Sequence, residues 1–173
     1  MGTPPFEKRF EPERIAARVA EVARRVDEDF RDQPLVILSI LKGGAFFAAD
    51  LARQLQTPVT LEYINVRRAE GSDEILQIDF ATGFDVAGKP VVLLKDVVNT
   101  GVIETYLSDQ LRGGGVGSVK FAAIVDKPHE RKTELSVDYP LFTSEGGTFV
   151  GYGMEYRGRY ANLPYVAEIS AGQ

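Results

Sequence analysis

The chain has 173 residues, 44% hydrophobic and 26% charged, which suits a soluble globular domain with one apolar core and leaves little for a second. With no Cys and one His, it excludes disulfides, thiolate chemistry and Cys- or His-cluster metal sites, and it disfavours a Ser-His-Asp triad. A net charge of −5, no apolar run long enough for a bilayer, and no apolar secretory core in Met1 to Arg14 together predict a cytoplasmic protein with no nucleic-acid and no membrane partner.

Ile15, Val19, Val22, Val26 and Phe30 recur at helical spacing among charged residues, which predicts an amphipathic helix from about Glu11 to Phe30 lying on a core. Leu35 to Ile40 is a continuous apolar, β-branched run, the pattern of a strand buried on both faces. Lys42-Gly43-Gly44 then turns into a helix over Ala45 to Leu55. Val59 to Val66, behind Pro58, suits another strand, and the charged stretch Arg67 to Gln77 with its Gly and Ser reads as a mobile loop. After a turn at Asp85 to Lys89, Val91 to Leu94 is a second buried strand, followed by Lys95 to Gly101 and a helix to about Arg112. Gly113-Gly114-Gly115 stops that helix, and Val119 to Val125 is a third apolar strand ending at Asp126-Lys127-Pro128.

Strand, glycine turn and helix in alternation predict an α/β fold with a parallel sheet. Right-handed crossovers bring Lys42 to Gly44, Asp96 to Gly101 and Asp126 to Pro128 to one carboxyl edge, where open α/β sheets hold their ligands. Asn99-Thr100-Gly101 at a helix start has two readings. One is an anion site made of free backbone N–H groups and the helix dipole. The other is a plain N-cap. Lys42 to Gly44 likewise reads as a ligand loop or a simple turn, and Lys127 as a ligand contact or a solvated lysine. His129 reads as solvated. Tyr152, Tyr156, Tyr160 and Tyr165 read as packing residues, and Phe46 and Phe47 as helix core or a subunit contact.

Leu41-Lys42-Gly43-Gly44, the strand ending in Lys95-Asp96-Val97-Val98-Asn99-Thr100-Gly101, Asp126-Lys127-Pro128, and Val150-Gly151-Tyr152-Gly153-Met154-Glu155-Tyr156 resemble, in order and spacing, the hypoxanthine-guanine phosphoribosyltransferase family. The likeness runs to Asn162-Leu163-Pro164-Tyr165-Val166. It implies a single type I phosphoribosyltransferase domain, a twisted, mainly parallel sheet with helices on both faces, and a small hood formed from the N-terminal segment and residues of about 140–173. It also implies displacement of pyrophosphate from phosphoribosyl pyrophosphate by a purine base, with Mg²⁺, in a homodimer or homotetramer. Carried over by position, Lys42 and Gly43 belong to a pyrophosphate loop in which the family often shows a non-proline cis peptide. Lys95 and Asp96 occupy ribose positions, and Asn99, Thr100, Gly101, Val102 and Ile103 the 5′-phosphate cradle. Lys127 stands where an amine meets the purine's exocyclic oxygen, with Phe149, Val150, Met154 and Glu155 around the base. Asp96 and Glu155 are the carboxylates for magnesium.

The departures from the family pattern are specific. Lys95 replaces the first of two adjacent acids and puts a cation where a ribose hydroxyl acceptor is expected. Asn99 stands at the general-base position, and an amide accepts no proton at neutral pH. Ile103 removes a hydroxyl from the phosphate cradle. Arg68-Ala69 stands for a Ser-Tyr pair that closes over the reaction, and Ala161 for an arginine on pyrophosphate. Thr148 aligns with the base-stacking aromatic, with Phe149 one position later.

Two functions from different classes follow: an enzyme that makes purine nucleoside monophosphates, with activity reduced or lost through these substitutions, and a purine nucleotide-binding or regulatory protein that kept the pocket without the chemistry. A third reading is a changed substrate, more anionic than the usual ribose, met by Lys95 and Arg68.

Overall fold

The first helix shows how closely local pattern governs this chain. Pro12 opens it with a preset backbone angle, Ile15, Val19, Val22, Ala23 and Val26 bury one stripe, and the Phe30 N–H returns to the Val26 carbonyl at 3.0 Å to end it. The structure, a computed structural model, describes residues 6–68, 75–80 and 86–170. In chain order it contains β1 (Phe6–Phe10), α1 (Pro12–Asp29), β2 (Leu35–Leu41), α2 (Ala45–Gln54), β3 (Val59–Arg68), β4 (Ile75–Phe80), β5 (Pro90–Val98), α3 (Val102–Gly113), β6 (Ser118–Asp126), β7 (Tyr139–Thr143), β8 (Thr148–Val150) and β9 (Val166–Ile169).

The large sheet has the order β4-β3-β2-β5-β6-β7, and β3, β2, β5, β6 and β7 run parallel while β4 is antiparallel. Leu35, Ile37, Val92, Leu94 and Ile124 face α1 and α2, whereas Val36, Leu38, Val91, Leu93 and Phe121 face the α3 side with Ile103, Leu107 and Leu111. This two-sided burial explains why β2 and β5 read as unbroken apolar runs. Arg18 donates to the Leu141 and Pro140 carbonyls at 2.8 and 3.1 Å, and Arg25 to the Asp138 carbonyl at 2.8 Å, pinning α1 on the edge strand β7. Asp29, at the end of the same helix, accepts from Lys120 and from the Tyr139 hydroxyl, and these partners hold its carboxyl below the ordinary carboxylate value.

Two stretches differ from their sequence patterns. The charged stretch after Val66 is partly strand: β3 continues to Arg68, and β4 returns beside it in antiparallel register, with Asn65 opposite Asp79. Val66 and Ile78 pair in that register and pack against the apolar cluster on the α3 side, which is why a polar segment holds a strand. Residues 69–74, including Ala69, and Asp85 lie outside the described residues. Strand β5 does not stop at Leu94 but runs to Val98, because its pairing with β6 continues through Lys95–Ala123 to Val98–Asp126.

A second, antiparallel sheet has the order β1-β9-β8, with Phe6 opposite Ile169 and Phe149 opposite Glu168. Residues 139–143, as β7, belong to the large sheet, so the small sheet takes up the chain again at β8. The segment after β8 is seated on the loop after β2: Gly153, at φ 96°, comes so close that a Cβ there would lie 2.6 Å from the Gly43 carbonyl oxygen. Tyr152 packs edge-on to Phe46 and donates its hydroxyl to Asp50 at 2.6 Å, while Tyr160 meets Phe6 edge-to-face at 4.7 Å. Burial, with the Asp50 hydrogen bond, pushes the Tyr152 phenol far above its ordinary value, so it is a neutral packing group. Phe47 is fully buried, whereas Phe46 is 46% exposed.

Candidate active site

The carboxyl ends of β2, β5 and β6 converge, and the first contact there is a steric one. Gly43 lies directly against Asp96: a Cβ on Gly43 would fall 2.0 Å from the Asp96 Oδ2 atom, so only glycine fits. The preceding Leu41–Lys42 peptide is cis. Above this contact is a cleft of about 300 Å³ whose lining includes Lys42, Gly43, Asn65, Asp96, Phe149 and Glu155. The Lys42 side chain is 80% exposed, and its ammonium is 3.7 Å from a carboxylate oxygen of Glu155. One cation and two carboxylates therefore share one solvent-facing cavity. Met154 also lines it, whereas Val150 is fully buried and does not. Asn65, opposite Leu41 in the β2–β3 register, belongs to the cleft too. Sequence reading missed it because a polar residue near a strand end carries no periodic signal.

The second component is the turn between β5 and α3. The residue capping α3 is Gly101, at φ 78°, and it offers no side-chain acceptor to the first-turn N–H groups. Thr100 Oγ1 reaches the Val102 N–H only at 3.5 Å, the limit of a hydrogen bond. The plain N-cap reading of Asn99 and Thr100 thus meets a glycine at the cap position itself. The turn is backed by residues 131–133. Arg131 donates to the Asn99 carbonyl at 3.0 Å and pairs with Asp126, and the Lys132 N–H donates to the Thr100 carbonyl at 2.9 Å. A Cβ on Gly101 would lie 2.6 Å from the Thr133 hydroxyl, so the turn has no slack on that side. Nothing in the sequence distinguished Arg131 from its solvated neighbours. The Asn99 Oδ1 atom is buried without a hydrogen-bond partner. Ile103 is in the apolar cluster under α3, so the hydroxyl missing from the cradle has become core.

Lys95 does not face the cleft chemistry. Along β5, it shares the face of Val91 and Leu93, and its ammonium lies 2.6 Å from the carboxylate of Glu104 in the first turn of α3. Asp96, one residue on, faces Gly43 on the opposite side of the sheet. The expected reversal of charge beside the ribose position is therefore a neutral internal pair. Lys127 is not a solvated lysine: its side chain is 6% exposed. Its ammonium donates to the Gly147 carbonyl at 2.5 Å and to Glu130 at 3.4 Å, and it sits 5.6 Å from the Phe149 ring centre. Phe149 is buried and lines the cleft, whereas Thr148 is exposed and does not, so the aromatic in the cleft is the one at 149. Ala161 is adjacent through its backbone, its carbonyl accepting the Gly153 N–H at 2.9 Å, and it brings no cation. His129 is exposed in a short 3-10 turn.

Among the described residues, no three acidic or His side chains cluster as an all-protein metal cage. Asp96 and Glu155 on one cleft are the kind of donor set that Mg²⁺ uses when most of its shell is substrate phosphate and water. No helix among the described residues is long and apolar enough to cross a membrane.

Comparison with known proteins agrees with this architecture. A family model described as a phosphoribosyl transferase domain matches residues 9–157. A hypoxanthine-guanine phosphoribosyltransferase of Staphylococcus epidermidis is 32% identical over 154 residues, covering 87% of this chain and 86% of the relative. Among solved structures, a Bacillus anthracis hypoxanthine-guanine phosphoribosyltransferase superimposes with a TM-score of 0.87 at 28% identity, over 96% of this chain and 99% of that one. A Trypanosoma cruzi hypoxanthine phosphoribosyltransferase gives a TM-score of 0.89 at 27% identity, over 98% of this chain and 94% of that one.

Proposed function

The chain belongs to the hypoxanthine-guanine phosphoribosyltransferase family, and from that premise we propose that its cleft binds magnesium-complexed phosphoribosyl pyrophosphate with a purine base and forms the purine nucleoside monophosphate slowly, without a side-chain base. The observation that carries this reading is the apposition of Gly43 and Asp96 at the floor of a cleft walled by Lys42, Glu155 and Phe149.

In this reading the Lys42–Gly43 loop meets pyrophosphate. Asp96 accepts from the ribose hydroxyls, and the backbone N–H groups of 101–103 hold the 5′-phosphate at the positive end of α3. Lys127, over the Phe149 ring, meets an exocyclic oxygen on the purine, and Asp96 with Glu155 orients the magnesium that arrives with the substrate. With Asn99 in place of an acid and Ala161 in place of a guanidinium, positioning and electrostatics are the rate terms left. A second reading, a nucleotide-binding or regulatory protein with no turnover, is favoured by the buried, unpartnered Asn99 Oδ1.

Both readings require the site to bind ligand. Calorimetric titration with GMP, IMP and magnesium phosphoribosyl pyrophosphate is expected to give dissociation constants below about 1 mM, or about 4 kcal/mol of binding. The Asp96→Ala variant is expected to lose the phosphoribosyl pyrophosphate signal. Absence of heat with all three ligands at millimolar concentration, from folded protein, overturns both readings.

A further inference from the structure

Glu104 is the most deeply buried acid among the described residues, at 2% exposure, and it is set in the apolar face that α3 presents to the sheet. An acid in the first turn of a helix ordinarily points to water and helps the dipole. Here it points inward, one turn before Ser108, whose hydroxyl is also buried without a partner. A carboxylate in such surroundings is tolerated only with an opposite charge beside it. Lys95, its side chain 15% exposed, supplies that charge at 2.6 Å. The contact is off the line of a hydrogen bond, so it holds by charge.

What the pair connects decides its role. Lys95 lies in β5 just before the Asn99–Gly101 turn, and Glu104 lies in α3 just after it. The ion pair therefore closes the base of the turn on the α3 side, while Arg131 braces the same turn from the β6 side through the Asn99 carbonyl. The two side chains of the cradle that are apolar, Val102 and Ile103, give the turn no polar tether of their own, and Ile103 is core.

We propose that Lys95 and Glu104 are positioning residues: a buried charge clamp that holds the Asn99–Gly101 turn with its backbone N–H groups convergent on a phosphate. The inference rests on the reading of that turn as a phosphate cradle. It assigns Lys95 away from substrate and makes Glu104 a functional residue that no motif marks. It also requires the two positions to change together.

The test is a set of four variants in the full chain: Lys95→Met, Glu104→Gln, the charge-swapped pair Lys95→Glu with Glu104→Lys, and the apolar pair Lys95→Met with Glu104→Met. Each is assayed for GMP affinity by calorimetry, for amide hydrogen exchange at residues 100–103 without ligand, and for melting temperature. Each single variant is expected to lose at least about tenfold in GMP affinity, equal to about 1.4 kcal/mol, and to exchange faster at the turn. The swapped pair is expected to recover affinity to within about threefold. The apolar pair is expected to stay folded, as buried ion pairs replaced by apolar groups generally do, yet to keep the loose turn and weak affinity. A folded apolar pair with unchanged turn exchange and GMP affinity overturns the clamp. So do single variants that leave turn exchange unchanged. If the wild-type protein binds no GMP, the cradle reading fails on that result, and the exchange measurement still decides whether the pair holds the turn.

Discussion

Replacing Asn99 by Asp is expected to raise nucleotide formation from hypoxanthine or guanine by about 10²-fold or more, the contribution typical of a positioned general base. The expectation comes from the environment of the amide. Its Oδ1 atom is buried with no donor, so an acid at the same place meets no competing hydrogen bond from the protein. Arg131, 3.0 Å from the carbonyl of the same residue, puts a cation nearby, which favours the ionised form of an acid introduced there. The rise belongs in kcat with little change in KM, because proton acceptance develops in the transition state. Steady-state kinetics of Asn99→Asp beside the wild type checks this. An unchanged kcat means that position 99 has no proton to accept in this protein.

The second large effect is steric. In Gly43→Ala, the new methyl carbon would stand 2.0 Å from Asp96 Oδ2, 2.5 Å from its carboxyl carbon and 2.7 Å from its Cβ, so either the loop or the strand end must move. Overpacking of this kind costs typically about 1–3 kcal/mol, and if it falls on the bound geometry it weakens magnesium phosphoribosyl pyrophosphate binding by about ten- to a hundredfold. The melting temperature is expected to fall as well, because Gly43 is buried between Asp96 and the segment at Gly153. Parallel titration and thermal unfolding separate the two effects. A Gly43→Ala protein that binds as tightly as the wild type removes the Gly43–Asp96 contact from the binding site.

Particular residues show what local sequence pattern can and cannot reveal. Helix α1 and the buried runs of β2, β5 and β6 are legible because each buries apolar side chains at its own period. Three parallel strands are visible that way, and β3 is readable from its β-branched run. The fifth parallel strand, β7, is short and follows a polar stretch. The edge strand β4 is paired on one side only and hidden in a charged segment. Strand β1 finds its partner β9 across nearly the whole chain, as in Phe6 with Ile169, and β8 meets β9 across the irregular segment 151–165, so no local window contains that information.

The site divides in the same way. The positions of Lys42, Gly43, Asp96 and Glu155 on one cleft follow from the α/β pattern and the ordered motifs. The fate of Lys95 does not, since its partner Glu104 reads from spacing as an ordinary first-turn acid. Only the packing of α3 on the sheet turns that acid inward. Position 149 rather than 148 carries the aromatic of the cleft because adjacent strand residues face opposite sides, a one-residue distinction that a motif alone leaves open.

The most direct measurement is nucleotide formation from phosphoribosyl pyrophosphate and Mg²⁺ with hypoxanthine, guanine, xanthine and adenine separately, using the Asp96→Ala protein as control. A slow family enzyme gives product above that control with at least one base and a clear preference among them. Folded protein that gives no product above the control with any base contradicts transferase activity.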